Sequence, residues 1–359
     1  MSTSSILITA PNLDTKYNVS GISSVTNFIV NNNVTYNYIH FELGRKDDEK
    51  RNLVWFFKMI ATVFKWMTVI CTKKIKLVHF NIALSNASIL RDIPLILFAK
   101  LAGKKMVIHI HGGAYLANEK ATGFIGFILK KTFSGNTPVI VLSPAEAKKI
   151  VADYNIKNVK VLPNCVDLKD AQTFKRVFDN KAALKLLFIG RISTLKGLET
   201  IYKALELVKE KNIAFQFFMA GTGADEAAYL SKFSVLLGSN FKFEGIVSGA
   251  SKTALLQNSD IFLLPSLFEG LPMSLLESMS YGVVPIVTNV GSMKFVVKNN
   301  DTGILIDKDP VQETVAAIER FSEDAVALQQ MSGNARTFIF ENYNPDAYII
   351  ALNKIYQAA

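Results

Sequence analysis

The sequence predicts an α/β protein made of two doubly wound domains in series. Short apolar runs alternate with helical patterns, as a parallel sheet with crossover helices requires. The alternation starts twice, near the N-terminus and again at Lys185, with a polar stretch between the two series. The chain has 359 residues, which is long for a single hydrophobic core. We therefore expect two sheets, each with its own core.

The first series predicts a domain over residues 1–166. Its apolar runs are too short for helices and are bounded by turn residues, which favours strands. The strand candidates are Ile6–Thr9, Tyr36–Phe41, Lys76–Phe80, Met106–His111, Val139–Leu142 and Val159–Leu162. The helix candidates are Ser20–Asn31, Arg51–Cys71, Ile89–Leu101, Gly123–Lys131 and Pro144–Tyr154.

The second series predicts a domain over residues 185–342, after a linker at 167–184. Its strand candidates are Lys185–Ile189, Phe215–Ala220, Phe241–Glu244, Ile261–Leu264, Val283–Thr288 and Gly303–Ile306. Its helix candidates are Lys196–Lys211, Asp225–Leu237, Ser251–Asn258 and Pro272–Tyr281. We expect the last segment, 343–359, to be a helix that crosses back to the first domain after Asn344-Pro345.

Composition indicates a globular protein with an anionic partner. Half of the residues are apolar, the net charge is +10 and the pI is about 9.3. A nucleotide or a phospholipid surface fits that charge. Nucleic acid is not expected, because no recognition motif accompanies the charge. Cys71 and Cys165 lack metal-ligand spacing, and the N-terminus lacks the pattern of a signal peptide. These features predict reduced thiols in a cytoplasmic protein.

Two acids eight residues apart, Glu269 and Glu277, follow the strand candidate Ile261–Leu264. Open α/β sheets bind ligands at the carboxyl ends of their strands, so both acids are expected to border a cleft. Proline is favoured at the first position of a helix, which predicts that Pro272 begins the helix carrying Glu277. Two unrelated surface acids are the alternative.

A pair of cations follows the first strand of the second domain, in the segment from Gly190 to Gly197. Arg191 can hold two phosphate oxygens at once and Lys196 adds a point charge, which suits a diphosphate. Solvated loop cations are the alternative. The turns at 221–223 and 244–247 are weaker signals, although the backbone near Ile246 and Val247 could meet a base.

In the first domain, His109 and His111 share a face at the end of a strand, before Gly112-Gly113. His111 could donate to a sugar hydroxyl or to developing charge, or it could be a structural histidine. A metal pair is not expected, since no third ligand is evident nearby. Gly21 precedes a helix whose amides could face phosphate. The G-x-G-x-x-G pattern is absent there, which argues against an NAD domain.

Taken together, these residues resemble glycosyltransferase family 4, the retaining nucleotide-sugar transferases of GT-B fold. In that fold two Rossmann-like domains face each other across a cleft. The resemblance covers nearly the whole chain, and its motifs occur in the same order. They are the loop at Gly21, the His-Gly-Gly strand end, the 162–167 junction Leu-Pro-Asn-Cys-Val-Asp, the 190–197 segment and Glu-x7-Glu. The chain departs at Cys165, where glycine is common, and in having Gly21 alone in its first loop.

The resemblance implies a role for each site residue. Arg191 and Lys196 would bind the donor diphosphate, Glu269 would contact the transferred sugar, and Glu277 would hold the ribose. His111 would contact the sugar near its anomeric centre. The backbone at Gly270, Leu271, Pro272 and Met273 would meet sugar or phosphate. Attack would occur on the face that the nucleotide leaves, with a diphosphate oxygen taking the acceptor proton. No metal or other cofactor would be required, since the cations replace it.

The stretch from Arg45 to Lys76 bears on the acceptor. It holds nine Lys or Arg against three Asp or Glu, with five aromatic residues from Trp55 to Trp66 interleaved. Such helices lie on anionic membranes, but a core helix with solvated lysines has the same pattern. A membrane span is not expected, because Lys58 and Lys65 interrupt the apolar run.

The sequence therefore predicts a hexosyltransferase that moves a sugar from a nucleotide-diphosphate sugar to a saccharide or lipid-linked saccharide. Cell-surface polysaccharide synthesis, at the inner face of the membrane, is the expected setting. A nucleotide-sugar epimerase or a phosphorylase of similar fold is the alternative among enzymes. A sugar-binding protein is the alternative outside them. Epimerisation without an acceptor would favour the first, whereas a binding receptor would normally carry an export signal.

Overall fold

The computed structural model describes residues 5–44, 52–117, 119–178 and 183–359. The chain divides into two compact units. The first unit holds Met1–Asn164 together with Asp346–Ala359, and the second holds Cys165–Pro345. Each contains a six-stranded parallel sheet with helices connecting the strands. The α/β class predicted from the alternation of apolar runs is confirmed.

In the first unit the strands are ordered β2-β1-β3-β4-β5-β6. They span Ser5–Ala10 (β1), Asn37–Glu42 (β2), Ile75–Ile82 (β3), Lys105–Ile110 (β4), Val139–Val141 (β5) and Val159–Val161 (β6). The helices span Gly21–Asn32 (α1), Leu53–Thr72 (α2), Asn86–Leu101 (α3), Ala114–Ala117 (α4), Gly123–Phe133 (α5) and Pro144–Tyr154 (α6). Because each connection returns to a parallel strand, the long helices run antiparallel to the strands and begin at the sheet's carboxyl edge.

In the second unit the order is β12-β11-β10-β7-β8-β9. Its strands span Leu184–Ile189 (β7), Phe215–Ala220 (β8), Phe241–Gly245 (β9), Ile261–Leu264 (β10), Val284–Thr288 (β11) and Ile304–Ile306 (β12). Its helices span Lys169–Thr173 (α7), Leu198–Glu210 (α8), Glu226–Leu237 (α9), Gly249–Gln257 (α10), Met273–Ser280 (α11), Met293–Val296 (α12), Pro310–Glu323 (α13) and Ala325–Asn342 (α14). The central strands are buried on both faces, which explains their unbroken apolar sequences.

The final helix, Pro345–Ala358 (α15), packs on the first unit. The hydroxyl of Tyr356 lies 2.6 Å from Nδ1 of His79 in β3. The amide of Asn33 donates to Oδ1 of Asn353 over 2.7 Å. Buried polar groups of this kind have definite partners, so these contacts specify one docked position for α15.

The stretch expected as a linker contains α7 and a buried arginine. Arg176 donates to the carbonyl oxygens of Leu256, Ser259 and Tyr281 at 2.6–3.0 Å and lies 3.6 Å from Asp260. These contacts tie the segment before β7 to the second unit. Residues 179–182 of the expected linker lie outside the described residues.

Most strand and helix bounds agree with the sequence-based expectation within about two residues. The helix expected from Pro272 begins at Met273, with Pro272 as its capping residue. Proline has no N–H to donate, so this position leaves no donor unsatisfied. Helices α13 and α14 were not expected. Arg51, the expected start of α2, lies outside the described residues.

Candidate functional site

The carboxyl edge of the second sheet brings together residues from two loops far apart in sequence. β7 and β10 are neighbours in the sheet, and the turns after them carry Lys196 and Glu269. A backbone bond from Leu267 N to Leu195 O, 3.0 Å long, joins the two turns. The topology therefore explains why residues 73 positions apart meet.

Lys196 and Glu269 form a close ion pair. Nζ of Lys196 lies 2.6 Å from Oε1 of Glu269, and the hydroxyl of Ser266 donates to the same oxygen over 2.8 Å. Glu269 is only 8% exposed, so its charge depends on these donors. Both described donors use Oε1, which leaves Oε2 available to a hydroxyl of a ligand. Sequence reasoning did not single out Ser266.

Glu277 has its own lysine partner on a neighbouring helix. In α11 its Oε1 lies 2.6 Å from Nζ of Lys252 in α10. The two side chains are 17% and 29% exposed, so the pair is half-buried rather than fully solvated. Lys252 was missed in the sequence, because no local spacing links it to Glu277.

The other residues expected to bind a donor lie along the same edge. Arg191 is half-buried in the turn directly after β7. Ile246 and Val247 follow β9, and Ile246 is exposed. The segment 270–273 runs from the turn after β10 into the first residue of α11. The glycine turn after β8 has a packing role, since a side chain on Gly221 would meet the carbonyl oxygen of Gly190 at 1.9 Å.

In the first unit, α1 begins at Gly21 with a well-formed cap. The hydroxyl of Ser20 accepts from the Ser23 amide at 3.2 Å, and Asn18 accepts from the Ser20 amide at 3.1 Å. Helix N-termini favour anions because their first amides are unpaired and the dipole is positive there. The amides of Gly21 and Ile22 are thus suited to a phosphate or carboxylate.

His111 is the first residue after β4, at the carboxyl edge of the first sheet. Its backbone N–H donates to Ile82 O, and Leu84 N donates to Gly112 O. Gly113 has φ of 124°, and a side chain there would lie 2.4 Å from Leu84 N. The His-Gly-Gly turn is therefore locked to the loop after β3. Burial lowers the pKa of His111 to about 3, so its ring is neutral at physiological pH.

Three imidazoles form a column behind this turn. The ring of His109 lies 4.0 Å from that of His111 and 5.5 Å from that of His79, measured between centroids. Burial lowers the pKa of His79 to about 3 and that of His109 well below its usual value. Sequence reasoning noticed two of the three. Within the described ranges no group of three or more His, Cys, Asp or Glu is arranged to hold a metal ion.

Helix α2 packs into the core of the first unit with one side, and its outer side also carries apolar residues. Trp66 is fully buried, and its Nε1 donates to Leu95 O over 3.2 Å. By length and composition alone the helix could cross a membrane. Six apolar side chains on it are 39–78% exposed: Leu53, Val54, Phe56, Phe57, Ile60 and Phe64. We call these six, together with exposed Phe124 and Phe127 of α5, the apolar helix surface.

The apolar helix surface lies at one end of the helix layer. α3 packs between α2 and α5, and all three begin at the carboxyl edge of the sheet. The exposed apolar residues occupy the first 12 positions of α2 and the first five of α5. Exposed lysines lie on the same helices, Lys58 and Lys65 on α2 and Lys130 and Lys131 in the last turn of α5. Residues 45–51, which hold four of the nine Lys or Arg and all three acids of the stretch noted in the sequence, lie outside the described residues.

Comparison with known proteins agrees with this architecture. Residues 169–338 match the family model described as glycosyl transferases group 1. An Escherichia coli protein, UDP-Gal:alpha-D-GlcNAc-diphosphoundecaprenol alpha-1,3-galactosyltransferase, is 27% identical over 261 residues, which make up 68% of this chain and 67% of that protein.

Solved structures resemble the whole chain. Sucrose-phosphate synthase from Thermosynechococcus elongatus has a TM-score of 0.77 at 16% identity, covering 99% of this chain and 98% of that one. Anabaena HepE in complex with UDP-glucose has a TM-score of 0.75 at 14% identity, covering 99% and 100%. At such identities these likenesses establish the fold, which is GT-B. The second unit thus carries a glycosyl transferases group 1 domain over residues 169–338, and the protein is a glycosyltransferase.

Proposed function

We propose that the protein is a retaining enzyme of glycosyltransferase family 4. It would move a hexose from a nucleotide-diphosphate sugar to a saccharide or lipid-linked saccharide in cell-surface polysaccharide synthesis. The main support for this proposal is the Lys196–Glu269 pair, which lies partly buried at the carboxyl edge of a parallel sheet. In a sugar diphosphate the phosphates suit the cation, and the sugar hydroxyls suit the carboxylate.

Donor binding would exchange the partners of this pair. A diphosphate brings two or more negative charges to Lys196, which would turn from Oε1 of Glu269 towards phosphate. Glu269 would then hold the hydroxyls of the sugar through both oxygens while Ser266 keeps the carboxylate in place. A carboxylate accepting from sugar hydroxyls replaces the lost ion pair with hydrogen bonds of comparable strength.

The remaining donor contacts follow from the positions of the residues. Arg191 would share the diphosphate with Lys196, so that the departing charge is neutralised by cations without need of a metal. Glu277 would accept from the ribose hydroxyls, with Lys252 fixing its carboxylate. The backbone near Ile246 and Val247 would meet the base, and residues 270–273 would meet the sugar or phosphate.

We assign the contact with the anomeric region of the sugar to His111 and an additional anion contact to the amides at Gly21. A neutral imidazole has a lone pair that can face a partly cationic ring. Retention would follow if the acceptor attacks on the face that the diphosphate leaves, a diphosphate oxygen taking its proton. Proton NMR of the first-formed product, before mutarotation, would report its anomeric configuration.

A lipid-linked acceptor fits two independent observations. The name of the E. coli relative states a diphosphoundecaprenol-linked acceptor and a UDP-galactose donor. In this chain, the apolar helix surface exposes aromatic side chains beside lysines, the combination found in helices that lie on anionic membranes. We propose that this surface rests on the inner face of the cytoplasmic membrane, with α2 lying along it rather than spanning it.

Transfer assays test the enzymatic proposal. UDP-, GDP- and ADP-sugars are first screened for an increase in the melting temperature, since a ligand bound only by the folded state stabilises it. Transfer to a lipid-diphosphate saccharide is then measured for the wild type, Lys196→Ala and Glu269→Ala. We expect losses of roughly a hundredfold or more, as for other groups that stabilise transition-state charge. Near-normal turnover in both variants would overturn the assignment.

Vesicle sedimentation tests the membrane proposal. The wild type is expected to sediment with vesicles containing anionic phospholipid at low salt and to release at high salt. Phe56→Ser combined with Phe57→Ser should abolish binding, whereas Val34→Ser, an 89% exposed residue outside the surface, should leave it intact. Equal binding by both variants would show that the apolar helix surface does not contact lipid.

A further inference from the structure

Asn81, a buried residue near the end of β3, holds the ring of His111 from behind. Its Oδ1 lies 2.8 Å from Nε2 of His111. An amide and an imidazole can each present either a donor or an acceptor, so the contact alone does not say which atom carries the hydrogen. The surroundings of Asn81 decide it.

The side-chain amide of Asn81 has one permitted orientation. Its Nδ2 donates to the carbonyl oxygen of Thr9 over 2.8 Å and to the hydroxyl of Thr26 over 3.1 Å. A carbonyl oxygen only accepts, so a flipped amide would place two acceptors against each other in a buried site. Oδ1 therefore faces His111 as an acceptor, and Nε2 of His111 must carry the hydrogen.

The ring of His111 is neutral, so it carries a single N–H. That hydrogen is committed to Asn81, and Nδ1 is left with its lone pair. Among the described residues Nδ1 has no hydrogen-bond donor, and His111 is not fully buried. The role expected from the sequence, donation to a sugar hydroxyl, does not fit this tautomer. An accepting role does.

We propose that Asn81 is a positioning residue that fixes His111 as the Nε2–H tautomer, so that Nδ1 accepts a hydrogen bond from a hydroxyl of the sugar substrate. The identity of that hydroxyl rests on the proposed function, whereas the tautomer does not. An acceptor is the useful polarity here, because a sugar hydroxyl that donates to Nδ1 gains electron density on its oxygen and so stabilises positive charge developing on the sugar ring, whereas an N–H would withdraw that density. Thr9 and Thr26 support the arrangement by fixing the amide.

Nitrogen NMR of the full chain labelled with ¹⁵N-histidine tests the tautomer without any activity assay. The chain has four histidines, and substitution of each assigns its signals. We expect a protonated Nε2 and an unprotonated Nδ1 for His111 in the wild type, and a mixture of tautomers in Asn81→Leu. Thr26→Val should keep the wild-type pattern, because Thr9 O still orients the amide. A protonated Nδ1 in the wild type would overturn the proposal.

A pH profile of transfer tests the catalytic consequence. In Asn81→Asp one carboxyl oxygen keeps the contact with Nε2 of His111, and the other takes the place of Nδ2 beside the carbonyl oxygen of Thr9. Where this carboxyl group is ionised it favours the imidazolium and so raises the pKa of His111. The other titratable groups behind it form a chain of contacts: His109 lies against His111, His79 lies against His109, and Tyr356 of α15 lies against His79. The variant should gain an acidic limb absent from the wild type, with kcat falling about tenfold for each pH unit below the new pKa. Activity should return at higher pH, with the donor KM changed less than about twofold, an expectation for a residue outside the diphosphate site.

A merely structural role for Asn81 would reduce activity equally at every pH. Nitrogen spectra of Asn81→Asp identify the pH range in which His111 is protonated, and a flat activity profile across that range would refute the positioning role. Circular dichroism over the same pH range ensures that only folded protein is compared. If the wild type transfers no sugar, the proposed function fails while the nitrogen spectra still decide the tautomer.

Discussion

The ion pair between Lys196 and Glu269 should contribute measurably to the stability of the ligand-free protein. The perturbation is a double-mutant cycle of Lys196→Ala, Glu269→Ala and the double variant. In such a cycle the cost of lost packing cancels, and the coupling energy of the pair remains. The same cycle on Lys211 and Glu319 is the matched control, since that pair has nearly the same separation, 2.7 Å against 2.6 Å.

Burial separates the two pairs. The side chains of Lys196 and Glu269 are 26% and 8% exposed, whereas those of Lys211 and Glu319 are 45% and 37% exposed. Exposed pairs contribute about 0.2–1 kcal/mol. Removing one partner of a fully buried pair costs about 3–5 kcal/mol. With only the carboxylate buried, and Ser266 still bonded to it, we expect a coupling of about 2 kcal/mol for Lys196–Glu269 and less than about 1 kcal/mol for the control.

Urea unfolding followed by circular dichroism measures the free energies. Both tryptophans, Trp55 and Trp66, lie in the first unit, so fluorescence reports that unit separately and identifies the transition of the second. Saturating nucleoside diphosphate should lower the coupling if Lys196 turns to phosphate. A coupling for Lys196–Glu269 no larger than that of Lys211–Glu319 would refute the reasoning from burial.

Three further predictions concern stability. The buried His79 and His109 have lowered pKa values, so protons bind the unfolded chain more readily. The free energy of unfolding of the first unit should therefore be highest above about pH 7 and fall towards pH 3, by up to about 1.4 kcal/mol per pH unit for each histidine. Urea unfolding followed by tryptophan fluorescence at several pH values should show a shallower fall with decreasing pH for His109→Leu. An unchanged pH dependence for that variant would contradict this. Gly113→Ala should destabilise the first unit by more than about 2 kcal/mol and reduce transfer, because the new side chain meets Leu84. Gly103→Ala is the control, since Gly103 also has a positive φ but open space around it, and it should cost about 1–2 kcal/mol. Equal effects of the two substitutions would argue against the clash with Leu84. Arg176→Ala leaves three carbonyl oxygens without their donor and should destabilise the second unit by about 3 kcal/mol or more. Urea unfolding followed by circular dichroism measures this loss. A loss below about 1 kcal/mol would show that water replaces the guanidinium.

The strands were predictable because their signal is local. Runs such as Ile261–Leu264 are apolar throughout and bounded by turns, and the structure buries all four residues. α13 and α14 were missed for a different reason. They lie beyond the last recognised motif, and α14 has a weakly amphipathic sequence that tertiary packing, rather than periodicity, holds as a helix.

The basic aromatic stretch shows where composition stops being informative. The sequence left open whether α2 is a core helix or a surface helix. The structure shows both features on one helix, with Trp66 in the core and Phe56, Phe57 and Phe64 exposed. The exposed side of this helix is itself largely apolar, so the pattern of apolar residues does not identify the side that faces inward. The packing of α2 against α3 and of Trp66 against Phe41 and Phe80 of the sheet decides it.

By itself the sequence determined the two-unit α/β architecture and the turns that carry Lys196, His111 and Glu269. These features were predictable because the periodicity of apolar residues, the turn residues and the motif spacing are all signals contained within short segments of the chain. Only the tertiary structure decided that Lys252 pairs with Glu277 and that Asn81 orients His111. The members of these two pairs are 25 and 30 residues apart. Their contacts depend on which elements lie side by side, and no local pattern in the chain specifies that.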